Sequence, residues 1–163
     1  MIVRAVLIVL TVVAGAVAAQ ASDGAIQPYD VKKGRPETSL SPDDLAQIEA
    51  GQGWGLAKPA ELNGYPGPAH VLELSDELKL SDAQRQEIEV IFKAMKAAAI
   101  AAGKLYIDAE RKVDEVFRSG SARPDQLSGA AMSAGKRLAA LRVVHLEADI
   151  TTAALISTNQ GRH

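Results

Sequence analysis

Apolar residues recur every seven positions through two long stretches of this chain, and that repeat narrows its possible folds more than any other feature. In the first stretch Ile88, Met95, Ala102, Ala109 and Val116 keep the period, and Ile91/Phe92, Ala98/Ala99, Leu105/Tyr106 and Val113 fill the alternate seam. A spacing near 3.5 residues puts both sets on one side of an α-helix. In the second stretch Leu127, Ala134, Leu141, Ala148 and Leu155 do the same, with Ala131, Leu138, His145 and Thr152 between them. Gly120 and Pro124 interrupt the pattern, so Ser119 to Arg123 reads as a tight link. Alanine is abundant on both stripes and lets the backbones approach closely. The expected fold is all-α, built on a long antiparallel helical hairpin.

Shorter elements precede it. Ser41-Pro42-Asp43-Asp44 is a helix start, with a serine cap, proline in the first turn and acids near the positive end, and it predicts a helix from Pro42 to about Ala50. Gly51 to Pro68 holds five glycines and three prolines, too many for a long regular element. Trp54, Leu56, Leu62 and Tyr65 supply apolar contacts a free linker does not need. It is expected as an ordered loop with one helical turn near Lys58 to Leu62, followed by a third helix from Ala69 to Leu78 carrying Val71, Leu72, Leu74 and Leu78 on its apolar side. Its glycines do not fit a phosphate-binding loop, since no Gly-Lys-Ser/Thr follows.

The first residues read as a secretory signal. Arg4, an apolar run from Ala5 to Ala19, and Ala19-Gln20-Ala21 before Ser22 predict cleavage after Ala21, export to the periplasm and no membrane attachment afterwards. Met1 to Ala19 is also just long enough for an uncleaved anchor. Residues 22–41, broken by Pro28, Gly34 and Pro36, are expected as a disordered leader, and 42–160 as the helical domain. With no cysteine, the exported chain is held by packing alone. Loss of Arg4 leaves 17 basic against 20 acidic residues, a net charge of −3 that disfavours a nucleic-acid binder. Only 4% of residues are aromatic, too few for a thick core, so a thin assembly that homodimerises is expected.

Two pentads bracket the long helices. Leu80-Ser81-Asp82-Ala83-Gln84 and Ile156-Ser157-Thr158-Asn159-Gln160 each read aliphatic, hydroxyl, any, any, glutamine, which is a capping box. Flanking a hairpin behind an export signal, they resemble the paired Leu-Thr-x-x-Gln motif of the Spy/CpxP family, with Leu80, Ser81, Gln84, Ile156, Ser157 and Gln160 at the motif positions. The resemblance covers roughly Ala69 to Gln160, and serine stands where threonine is usual. Only Gly161, Arg162 and His163 follow the second pentad, too few for the helix that the family starts there. The resemblance implies a small periplasmic chaperone or envelope-stress adaptor that works without ATP on unfolded clients or a signalling partner. Relatives that sense heavy metals supply the alternative, a metal-binding sensor domain.

No catalytic arrangement emerges: no Gly-x-Ser-x-Gly elbow and no lysine at a nucleophile spacing. The chain is expected not to be an enzyme. Two pairs suit a divalent zinc, nickel, cobalt or copper ion: His145 and Asp149 four apart, and His70 and Glu73 three apart, each able to present two ligands on one helix face. Each pair also has an ordinary structural reading, His145 as a locally bonded seam residue and His70 as a loop-facing histidine. The resemblance adds Met132 or Met95 as further ligands. For client binding, Phe92, Met95, Lys96 and Leu105 are the candidates, apolar groups rimmed by lysine and arginine; the alternative places the apolar ones inside the seam.

Overall fold

Serine caps and prolines decide where the helices begin. The structure, a computed structural model, describes residues 38–156. Helix α1 (Pro42–Glu49) starts at Ser41, whose hydroxyl accepts from the Asp44 N–H at 3.1 Å while the Asp44 carboxylate accepts from the Ser41 N–H at 3.1 Å. Trp54 Nε1 donates to the same carboxylate at 2.8 Å, so the cap also fastens the following segment. Thr38, at the end of the expected leader, is buried, and the Ser39 N–H donates to Asp114 at 2.7 Å. Beyond α1 the chain turns at Gly51 with φ +66°, where a Cβ would stand 2.9 Å from the Lys96 carbonyl. Only glycine meets both demands.

Helix α2 (Lys58–Glu61) is the expected single turn, and helix α3 (Pro68–Glu73) stops five residues short of the expected Leu78. The reason lies in Ser75-Asp76, whose side chains compete for backbone hydrogen bonds and favour turns over helix interior. Arg85 donates to Ser75 Oγ at 2.6 Å and to Asp76 at 3.0 Å, holding that turn against the next helix. Val71 and Leu78 are buried with Ile88, whereas Leu74, expected inside, faces out.

Helix α4 (Asp82–Arg118) begins at the first pentad. Ser81 Oγ accepts from the Gln84 N–H at 3.2 Å and the Gln84 side chain accepts from the Ser81 N–H at 3.0 Å. The same glutamine donates through Nε2 to the Leu155 carbonyl at 2.7 Å, tying the start of α4 to the end of α5 (Pro124–Leu155). Among the described residues every regular element is a helix, and there are no strands. α4 and α5, joined by the five residues 119–123, pack side by side, with α1 and α3 against α4 and with α2 and α3 against α5. Where α1 meets α4 the approach is so close that a Cβ on Gly103 would stand 2.6 Å from Ile48 Cγ2. Ile48, Ala99, Tyr106, Ile107 and Leu141 form the main core.

The seven-residue stripes face each other largely as expected. Tyr106 and Ala99 fill the alternate seam of α4, while Leu105 turns outward, and on α5 Ala131 is exposed rather than in the seam. The rest of α4 is largely charged, with Val90, Ile100, Leu105 and Phe117 also exposed. α5 carries fewer charges and exposes Met132, Val143 and Ile150 in line along its outer side. None of the described helices is long and apolar enough to cross a membrane. The signal, nearly all of the leader, His163 and positions Ser157 to Gln160 of the second pentad lie outside the described residues.

A polar pocket between α5 and the glycine-rich segment

On α5 the spacing i, i+4, i+7 turns His145, Asp149 and Thr152 to one side of the helix, inward. All three are buried, and His145 Nε2, Asp149 Oδ2 and Thr152 Oγ1 have no hydrogen-bond partner. A buried polar group left unpaired costs about 1–3 kcal/mol, so three in a row on one face demand an explanation.

The Gly51 to Pro68 segment and α3 pack over them. Gly67 sits directly on the carboxylate, since a Cβ there would stand 3.0 Å from Asp149 Oδ1. Between the two layers lies a pocket of about 330 Å³, whose lining includes Trp54, Glu61, His70, Met95, His145 and Asp149. His70 Nδ1 stands 3.5 Å from Glu61 Oε1, and Lys58 lies 3.7 Å from the same carboxylate group. Glu61 is therefore already supplied with partners, whereas Asp149 is not.

Burial pushes the Asp149 carboxyl up to about 6, the Glu61 charge adding to the rise and His70 opposing it. Burial pushes His145 down from its ordinary value. Near neutral pH the pocket thus holds an uncharged imidazole and an ionised carboxylate, both able to donate a lone pair, with the Met95 thioether on the same lining.

Of the predicted ligands, the structure brings His70, His145 and Asp149 to this pocket from segments up to 79 residues apart in the chain. Glu73 is not among them, because α3 leaves it exposed and His70 meets Glu61 instead. Met95 lines the pocket, whereas Met132 lies exposed on the outer side of α5. Among the described residues, no three histidine, cysteine, aspartate or glutamate side chains are grouped so as to hold one metal ion. Two donors with unpaired atoms are in place on α5; the others stand on the α2–α3 wall.

The candidate client residues do not form one surface. Phe92 is half-buried, with the Lys96 ammonium 6.0 Å from its ring centre; Met95 faces the pocket, and Leu105 faces out. Glu61, Trp54 and Gly67 are pocket residues that sequence reasoning missed. The only legible hint was a polar residue at two successive seam positions, His145 and Thr152, where apolar ones belong. No family model, curated protein or solved structure matches this chain.

Proposed function

We propose that this chain is an exported, non-catalytic helical protein that binds a divalent transition-metal ion, zinc, nickel, cobalt or copper, in the pocket between α5 and the glycine-rich segment. The observation that carries this reading is the convergence of His70, His145 and Asp149 on one pocket, with Nε2 of His145 and Oδ2 of Asp149 buried and unpaired. Imidazole, carboxylate and the Met95 thioether together are a donor set for borderline and soft ions. His145 and Asp149 would hold the ion, with His70 and Glu61 as further donors on the same lining and Met95 favouring a softer metal. A bound ion would supply the missing partner to both orphaned atoms and link the glycine-rich segment to α5.

Calorimetric titration of the purified exported form with each of the four metals tests it, beside His145→Ala and Met95→Leu checked for folding by circular dichroism. The expected result is micromolar or tighter binding, abolished in His145→Ala and weakened for copper in Met95→Leu. Absence of binding for all four metals overturns the reading.

A chaperone or envelope-stress adaptor, the other function implied by the resemblance, is favoured by exposed apolar side chains on α4. Val90, Ile100, Leu105 and Phe117 stand out among Lys93, Lys96, Lys104, Arg111 and Arg118. They point in several directions round the helix, which suits weak, unspecific holding more than one defined groove. Suppressed aggregation of several unrelated clients without ATP is the expected result; no effect on any client sinks this second reading.

A further inference from the structure

The pocket over α5 is far larger than a metal ion. Its volume of about 330 Å³ equals that of roughly ten water molecules. That is the lower end of the size range of small-molecule sites, roughly 300–1,000 Å³. His145 and Asp149 bring donors to it from α5. Gly53, Gly55, Gly67, Pro68 and Ala69, also on the lining, are residue types without a side-chain donor. Trp54 stands among them, and its Nε1 is committed to Asp44 at 2.8 Å, so it offers the pocket ring surface rather than a hydrogen bond.

The donors on this lining are also too few. His145 Nε2 and Asp149 Oδ2 are unpaired, and the Met95 thioether would be a third. His70 and Glu61 hold each other at 3.5 Å, with Lys58 on the same carboxylate. Zinc, nickel, cobalt and copper take about four to six donors, so about one to three positions fall to atoms from outside the chain. Charge points the same way. Ligation requires a neutral imidazole and an ionised carboxylate, so this donor set leaves a divalent ion with one positive charge uncompensated, while Glu61 and Lys58 cancel each other. A buried charge without a partner is costly. Water would fill the open positions, but it brings no charge.

Resting on the metal reading, we infer that the pocket takes its ion as a complex with a small monoanionic chelator of the amino acid class. Its amine and carboxylate complete the coordination sphere, and its remaining atoms fill the space beside the glycines and Trp54. The carboxylate supplies the missing negative charge, and the amine is a nitrogen donor of the kind these ions take. The small residues on the lining keep that space open. A side chain at Gly67 would also crowd the carboxylate that binds, since a Cβ there would stand 3.0 Å from Asp149 Oδ1.

Equilibrium dialysis of the purified exported form against nickel alone, radiolabelled L-histidine alone, and the two at equal concentration tests this. Labelled histidine is expected to be retained only when nickel is present, and in equal amount with it. The equimolar complex is expected to bind roughly tenfold more tightly than nickel alone. Ala69→Leu, checked for unchanged helical content, is expected to lose the histidine and keep the nickel, because added methyl groups take up space and remove no donor. Histidine that strips nickel from the wild type overturns the inference and leaves the metal reading intact. Histidine retention unchanged in Ala69→Leu overturns it as well, since the chelator then binds elsewhere. No uptake of nickel, with or without histidine, overturns the inference together with nickel as the ion.

Discussion

α4 and α5 are of similar length and carry the same seven-residue stripe, yet they are built on opposite plans. α4 opens with the Ser81 and Gln84 capping box, and its outer side holds ion pairs one turn apart, Glu89 with Lys93, Asp108 with Arg111 and Glu115 with Arg118. α5 has proline at its first position and no side-chain cap from Arg123. Its outer side exposes Met132, Val143 and Ile150 in line, and its inner side buries a histidine, an aspartate and a threonine. Both helices expose some apolar side chains, Val90, Ile100, Leu105 and Phe117 on α4 among them, but only α5 buries unpaired polar groups at seam positions. Departures of that kind concentrate where a chain binds something. The proposed metal site lies against that side of α5.

The largest effect should separate the two faces of α5. Leu141→Ala, inside the core, is expected to cost about 3 kcal/mol in urea unfolding. Val143→Ala, two positions on and outward, should cost less than about 0.5 kcal/mol. Equal losses would mean that α5 has no free face. Glycine draws a second contrast: Gly103→Ala on α4 forces a methyl group onto Ile48 and is expected to cost about 2 kcal/mol. Gly129→Ala on α5 meets nothing and should stabilise by about 0.5–1 kcal/mol.

The buried carboxylate sharpens the comparison further. Asp149 holds its proton more tightly folded, at about 6, than unfolded, near 3.8, so its contribution to stability falls as pH rises between those values. His145, pushed down by burial, acts the other way and loses stability as pH drops below its ordinary 6.5. In chelator-treated protein, Asp149→Asn is therefore expected to stabilise by about 2 kcal/mol at pH 7, with the gain gone below about pH 4. A gain independent of pH would show that the carboxylate is not the strained group. Smallest is Ser81→Ala, which should cost about 1 kcal/mol through loss of the α4 cap, seen as a lower thermal midpoint.

Much of the fold was legible because it depends on local rules. Ser41 and Ser81 caps, Pro124, and the break at Gly120 all sit where the sequence puts them, since capping and proline geometry act over one turn. α3 was overextended because its end depends on Arg85, which reaches back ten residues to Ser75. The site was legible in its parts. His70, His145 and Asp149 were named from residue type and helix spacing, but their meeting was not foreseeable, nor was Glu61 as the partner of His70. Gln84 reads as a cap from sequence, and its bond to Leu155 does not.

The sequence by itself determined that the chain is all-α, where its two long helices begin and end, and which residues carry ligand chemistry, because caps, periodicity and side-chain type are properties of a few consecutive positions. Only the tertiary structure decided that the glycine-rich segment folds over α5 to bury His145 and Asp149 unpaired, and that the outer side of α5 stays bare. Both follow from contacts between residues far apart in the chain, whose register is set by close approaches such as Gly67 on Asp149 and Gly103 on Ile48, and no local pattern encodes those distances.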